Sequence, residues 1–393
     1  MVDFRDTKRA FSGLSNAALR RAILLFRVLG MPWLSRLGGW FAQLALQLRL
    51  PIRWLFEKTI YAHFCGGVSM GECEDRIGEL HGRKVGSILD FGVEGKSRES
   101  DFVRVFEETQ QAIARAEQDS RIPFCVFKCS GLISIDVLEE VSRDGQPSSS
   151  NQASWSQFSE RVDALLSQAY HSNVRVMLDA EESWIQAAID QIAEDGMQKY
   201  NQLKCIVLNT VQLYRVDRLD YLKAATERAR AGGYTFGVKL VRGAYMEKER
   251  ARALEMGYPD PIHPTKQATD EAFDAGLRHC LESIDHVVVC SGSHNESSAA
   301  KLSQWMEELG LSHDDPRIFS AQLLGMSDHI SFNLAAEGFN VAKYVPYGPV
   351  RDLVPYLIRR AEENSSIQGQ SGRELSLLQD ELKRRLTQTG GAR

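Results

Sequence analysis

Between residues 85 and 364, short strand-like runs alternate with longer amphipathic stretches, and the alternation completes eight cycles. The strand-like runs are 85–93, 124–131, 174–181, 205–212, 235–243, 286–293, 317–325 and 341–348. Helical patterns fall near 99–118, 152–172, 183–201, 216–232, 268–284, 296–310, 328–338 and 351–364. Eight strands, each followed by a helix that returns the chain to start the next, predict an α/β fold of the (β/α)8 TIM-barrel type. A doubly wound open sheet competes, but no Gly-rich dinucleotide fingerprint follows the first run. With 393 residues, the chain has room for one barrel with an appendage, or for two ordinary domains. Residues 1–84 lack the alternation and read as helices around Pro32 and Pro51 forming an arm or cap. Residues 85–366 read as the barrel, interrupted by a polar insertion at 145–153, and residues 367–393 as a polar tail with room for one amphipathic helix.

Charge divides the chain unevenly. Residues 1–60 carry ten Lys/Arg against three Asp/Glu, while the net formal charge of the whole is −5. The remainder is therefore acidic, which argues against nucleic acid as a partner of the barrel and leaves a basic arm to explain. The stretch 17–56 is the most apolar, but Arg20, Arg21, Arg27, Arg36, Arg49 and Arg53 interrupt it, so it reads as amphipathic and not spanning. Seven cysteines, an odd number scattered through apolar runs without paired C-x-x-C motifs, read as reduced core residues of an intracellular protein, and no metal site is expected.

In a barrel of this type, chemistry gathers where the loops after the strands converge. The predicted strand ends carry Glu94, Lys128, Asp179 with Glu181, Gln212, Lys239 to Tyr245, His294-Asn295, Gln322 and Tyr344. Each has a plainer reading: Lys128 can snorkel, Asp179 or His294-Asn295 can cap the following helix, and Gln212 can be an ordinary strand-end amide. Polar groups at nearly every terminus are harder to explain that way. In the segment 238–245, two cations flank a strand end and small residues follow, an arrangement that lays backbone under a flat anionic cofactor with Lys239 facing it. No HExxH, P-loop or Ser–His–Asp pattern is present.

The stretch 343–364 adds a binding face. On a helix, Tyr356, Arg359, Arg360 and Glu363 fall at i, i+3, i+4 and i+7, and Leu353, Leu357 and Ala361 form a separate docking row. Two guanidinium groups beside a phenol suit a small carboxylate. A solvated helix face with a surface ion pair is the alternative.

Several segments together resemble the proline dehydrogenase family: 87–95 (Ser-Ile-Leu-Asp-Phe-Gly-Val-Glu-Gly), 176–183, 239–245 (Lys-Leu-Val-Arg-Gly-Ala-Tyr), 263–270, Ser293-His294-Asn295, 322–326 and 343–364. The resemblance runs from about residue 55 to 366 and implies a distorted (β/α)8 barrel that binds FAD. It implies oxidation of L-proline to Δ1-pyrroline-5-carboxylate by hydride transfer to the flavin, with electrons passed on to a quinone, as the first step of proline catabolism. In that likeness Arg359 and Arg360 match the pair that holds the substrate carboxylate. Lys128, Asp179, Tyr245, Leu323, Tyr344 and Tyr356 match the surrounding pocket, with Lys128, Asp179, Tyr344, Arg359 and Arg360 as the catalytic set. Glu94 matches an acidic residue that closes over the site by pairing with Arg359. Gln212, Lys239, Val241, Gly243, Thr269, His294, Asn295 and Glu363 match FAD-contacting positions.

Lys239 stands where the bifunctional branch has arginine, and the tyrosine at 344 favours proline over hydroxyproline, whose ring hydroxyl a phenol would crowd. A hydroxyproline or other cyclic amino-acid dehydrogenase, and a non-catalytic amino-acid-binding barrel, are the competing readings. The basic arm is a candidate for attachment to an anionic membrane surface, with a helical cap on the barrel as the plainer alternative. The expected setting is cytoplasmic and bacterial in type, peripheral to an inner membrane at most; Asp3 and Asp6 weigh against a mitochondrial leader.

Overall fold

The eight strand-like runs pair in chain order, each with its sequence neighbours, and the first closes on the last. The structure, a computed structural model, describes residues 2–29, 60–93, 95–366 and 370–390. The strands are β1 (Gly86–Phe91), β2 (Phe124–Lys128), β3 (Arg175–Asp179), β4 (Val207–Gln212), β5 (Phe236–Val241), β6 (Val287–Gly292), β7 (Ile318–Leu323) and β8 (Val341–Tyr347). All are parallel and form a closed barrel, the predicted α/β barrel of TIM type. Each observed strand is shorter than its apolar run because residues at the run's ends, usually the last ones, lie outside the ladder; after Lys128, for example, Cys129–Gly131 turns into a short 3-10 segment.

Two apolar layers explain the closure. Side chains pointing inward, among them Ile88, Phe124, Val126, Met177, Leu208, Val288, Ala342 and Tyr344, fill the barrel. Those pointing outward, such as Leu89, Phe127, Leu178, Val238 and Val345, pack under the helices. Period-two alternation along a strand assigns each residue to one of these layers. The helices Glu99–Glu117, Gln152–Ser172, Ser183–Tyr200, Arg218–Gly232, Lys266–Glu282, Glu296–Glu308, Asp328–Ala336 and Val350–Ser366 follow the strands as read from the sequence. Two further helices, Ile135–Asp144 and Met246–Met256, lie in the connections after β2 and β5.

The chain ends meet on the barrel's flank. Asp6 caps the helix Thr7–Ala10, accepting the Arg9 N–H, and this helix packs on Asp328–Ala336. Asn16–Leu29 lies against the C-terminal helix Gln370–Gly390, with Phe11, Leu19, Ala22, Ile23, Phe26, Leu377 and Leu378 buried between them. Among the described residues, no helix is long and apolar enough to cross a membrane. All seven cysteines are buried with free thiols.

Candidate active site

Lys128 and Asp179 at the ends of β2 and β3, with Lys239 and Tyr344 from within β5 and β8 rather than at the strand ends expected, bring four polar side chains together inside the barrel mouth. Lys128 and Asp179 are register partners on adjacent strands, and the Lys128 Nζ donates to Asp179 Oδ2 at 2.7 Å. Lys239, reaching in from β5, donates to the other oxygen, Oδ1, and to the Tyr344 hydroxyl. Tyr344 in turn lies 3.3 Å from Asp179 Oδ1 and 3.4 Å from the Met177 sulfur. One carboxylate thus pairs with two ammonium groups, each of its oxygens serving one, and the trio keeps one net positive charge. Burial works against the ionised Asp179, yet Lys128 and Lys239 hold its carboxyl well below the ordinary range. Burial, and then the Asp179 charge, push the Tyr344 phenol well above its own range, so it stays protonated.

The helix Val350–Ser366 docks at this mouth. Leu353 packs against Gly92 just past β1, where a Cβ would come within 2.1 Å of Leu353 Cδ2. Lys96 pairs with Asp352 at 3.0 Å. Leu353, Tyr356 and Leu357 are buried with Tyr61, Phe64 and Met326, and Leu323 at the end of β7 packs on both this group and the barrel interior. Arg360 is only 6% exposed, so the solvated-face alternative does not describe it; its guanidinium lies 5.0 Å from the Tyr356 ring centroid. Arg359 lies 5.6 Å from the centroid of Tyr245, which is itself buried.

The remaining predicted positions occupy the loops after β4, β5 and β6. Gln212 donates to the Glu181 carbonyl at 2.7 Å and accepts from Ala244 N–H at 3.2 Å, so its amide ties three loops together. Val241 ends β5, and Gly243 follows at φ +146, where a Cβ would lie 2.3 Å from the Tyr214 ring. His294 Nδ1 lies 3.0 Å from Ser327 Oγ. Burial, reinforced by the nearby Arg360 charge, lowers its pKa to about 3 and keeps the imidazole neutral. Asn295 is the N-cap of Glu296–Glu308, accepting from Ser297 and Ser298 N–H. Thr269 is nearly buried on Lys266–Glu282. Glu94 and the side chain of Glu363 lie outside the described residues.

Arg242, the second cation of the segment 238–245, has no role in the sequence reading. Its three nitrogens bond Asp270 Oδ1 at 2.6 Å, Ser293 Oγ at 2.7 Å and Ser298 Oγ at 2.9 Å. It therefore fixes the loop before His294. Its position between two apolar strand residues and a glycine was the available signal.

Known proteins place this geometry in a family. Over 230 residues the chain is 46% identical to human proline dehydrogenase 1, mitochondrial, covering 58% of this chain and 38% of the human protein. Over 435 residues it is 30% identical to Arabidopsis thaliana proline dehydrogenase 1, mitochondrial, covering 98% of this chain and 87% of that protein. The carbapenem antibiotics biosynthesis protein CarD of Pectobacterium carotovorum subsp. carotovorum is 34% identical over 332 residues, 84% of this chain and 86% of that one. The match thus spans little more than a third of the human and Drosophila proteins.

These names overturn the expectation of a cytoplasmic setting with a mitochondrial one disfavoured, since the relatives at 41–46% identity are mitochondrial enzymes. The carboxylates of Asp3 and Asp6 serve local turns, accepting the backbone N–H groups of Arg5 and Arg9. Among solved structures, proline utilization A from Bdellovibrio bacteriovorus superposes with a TM-score of 0.69 at 19% identity, over 91% of this chain and 38% of that one, a likeness of fold. The family model described as proline dehydrogenase matches residues 73–373, and the chain belongs to that family.

Proposed function

We propose that this chain oxidises L-proline to Δ1-pyrroline-5-carboxylate with FAD as the bound oxidant, and that the electrons leave to a quinone. The observation that carries the reading is the Lys128–Asp179–Lys239–Tyr344 cluster in the barrel mouth, with buried Arg360 and Tyr356 on the helix docked at its rim. A small zwitterion fits such a site because guanidinium groups fork onto a carboxylate while a short ring rests among Leu323, Tyr245, Tyr344 and Tyr356.

The residues after β4, β5 and β6 fit a flavin. Gly243 and Gly292 both sit where no Cβ has room: one built at Gly243 would lie 2.3 Å from the Tyr214 ring and one at Gly292 2.9 Å from Val241 Cγ1, so the loop backbones pack closely beside the polar side chains. Gln212, Lys239, Thr269, His294 and Asn295 supply donors around that backbone, with the Glu363 position on the adjoining helix. When bound, a flavin would supply the acceptor for the hydride of the ring carbon next to nitrogen. The protein's part is positioning, since transfer needs the donor carbon held within about 3–3.5 Å of the acceptor. Arg359 and Arg360 hold the carboxylate end. Asp179, ionised and already satisfied by two lysines, fixes Lys239 and Lys128 without serving as a proton acceptor. Tyr344, protonated at working pH, fills the space a 4-hydroxyl would need.

The described part of the basic arm packs on the barrel flank, yet Arg20, Arg21 and Arg27 remain exposed on Asn16–Leu29. We assign that face to contact with an anionic membrane surface that carries the quinone. Cosedimentation with anionic vesicles checks this: R20E/R27E reduces binding, and unchanged binding refutes the assignment. For the activity, purified protein is predicted to carry or take up FAD and to turn over proline faster than trans-4-hydroxyproline. A faster hydroxyproline reaction supports the other dehydrogenase reading. A colourless protein that stays inactive with added FAD supports the non-catalytic one.

A further inference from the structure

The helix Gln370–Gly390 has an inward stripe of Glu374, Leu377, Leu378 and Glu381 at helical spacing, all four buried. The leucines pack on the N-terminal helix. Glu381 is satisfied locally by Arg384, Arg385 and Thr7. Glu374 instead reaches the barrel: its Oε2 accepts the backbone N–H of Ser327 at 3.1 Å. Ser327 follows β7 in the left-handed region, at φ +53, which is unfavourable for a residue with a side chain and needs local support. That conformation is what turns its hydroxyl to within 3.0 Å of His294 Nδ1. One residue earlier on the same helix, Arg373 forks onto Glu296 at 3.1 and 3.3 Å, two positions beyond His294. Buried His329 approaches the same Glu296 carboxylate at 3.5 Å. The C-terminal helix therefore holds the β6 loop directly at Glu296 and the β7 loop at Ser327, whose hydroxyl lies against His294.

We propose that Glu374, acting through Ser327, is a positioning residue that sets the orientation of the His294 ring toward the cofactor. The proposal rests on reading His294 as a flavin contact. Glu374 itself touches neither His294 nor the substrate pocket. It lies just beyond the family match, which ends at residue 373. Without its acceptor the buried Ser327 N–H is unsatisfied, the turn relaxes, and the Ser327 hydroxyl no longer holds the imidazole at Nδ1.

The test is a mutant cycle on full-length protein, read by FAD dissociation constant and by 15N shifts of the histidine rings. E374A, S327A and H294A should each weaken FAD binding by about fivefold, the worth of one hydrogen bond. E374A placed on H294A should add nothing further. E374Q, whose amide oxygen still accepts from Ser327, should stay within about twofold of wild type. The His294 Nδ1 resonance should move in E374A and S327A and stay in E374Q. Additive losses in the double variant, or a His294 signal indifferent to E374A, overturn the proposal. If E374A does not fold, S327A decides: wild-type flavin affinity and an unmoved His294 signal overturn it equally. Wild-type protein that takes up no FAD refutes the functional reading instead, while the ring shifts still test the Glu374–His294 link.

Discussion

Lys128 and Asp179 stand side by side in the β2–β3 register and close an ion pair of 2.7 Å inside the barrel mouth. Because the second Asp179 oxygen serves Lys239 from across the mouth, one carboxylate joins three strands. Asp179→Ala leaves two ammonium groups facing each other, with Lys239 only 4% exposed. Removing one partner of a buried pair costs about 3–5 kcal/mol. Urea unfolding of the variant should show a loss of that size; an unchanged midpoint contradicts the account of the mouth.

The twin arginines make separable demands. Arg359→Met and Arg360→Met should each raise the KM for proline by roughly tenfold to a hundredfold, the worth of a charge-assisted hydrogen bond. Steady-state kinetics with flavin occupancy measured in parallel checks this. Loss of FAD at unchanged proline affinity would move these residues to the cofactor side.

His294 gives the fold a pH dependence of known sign. Its pKa falls from an ordinary 6.5 to about 3, by burial first and by the Arg360 charge second. The unfolded chain therefore binds a proton that the folded one refuses. No stability is lost above pH 6.5, and loss accumulates as pH falls from there toward 3. At pH 5 the contribution is about 2 kcal/mol. H294Q removes the titrating group, so its stability relative to wild type should improve between pH 7 and pH 5. A pH-independent difference in Tm counts against a buried neutral ring.

Two glycines with positive φ distinguish strain from collision. Gly257, at φ +73, has open space where a Cβ would go, so G257A should cost about 1 kcal/mol of backbone strain. Gly243, at φ +146, would also drive its Cβ into the Tyr214 ring. G243A should cost at least twice as much and weaken FAD binding. Equal costs in thermal unfolding argue against the tight β5 loop.

The barrel was legible because parallel strands buried on both faces leave apolar runs that helices separate. Run lengths overshot the strands since Cys129–Gly131 and similar segments remain buried after leaving the ladder. The helix Met246–Met256 was missed for a physical reason: it buries only Glu249 and Ala253, so it has no apolar stripe to read. Ile135–Asp144 did carry Val137, Leu138 and Val141 on one face, a pattern hidden between a strand and a polar insertion. Lys128 beside Asp179 could be anticipated from strand ends, but the Lys239–Asp179 and Lys239–Tyr344 contacts exist only once the barrel closes. Glu374 was lost in a tail judged by its polarity, although its spacing to Leu377, Leu378 and Glu381 was visible.

Under the proposed function, proline bound in this mouth delivers its hydride to a flavin held near the ends of β4 to β6. Anaerobic addition of L-proline to the purified, FAD-loaded protein tests it directly, with the flavin absorbance band as the readout. Bleaching that saturates with proline and is slowed by Arg359→Met or Arg360→Met at low proline is expected. A yellow protein whose band is indifferent to proline would contradict it.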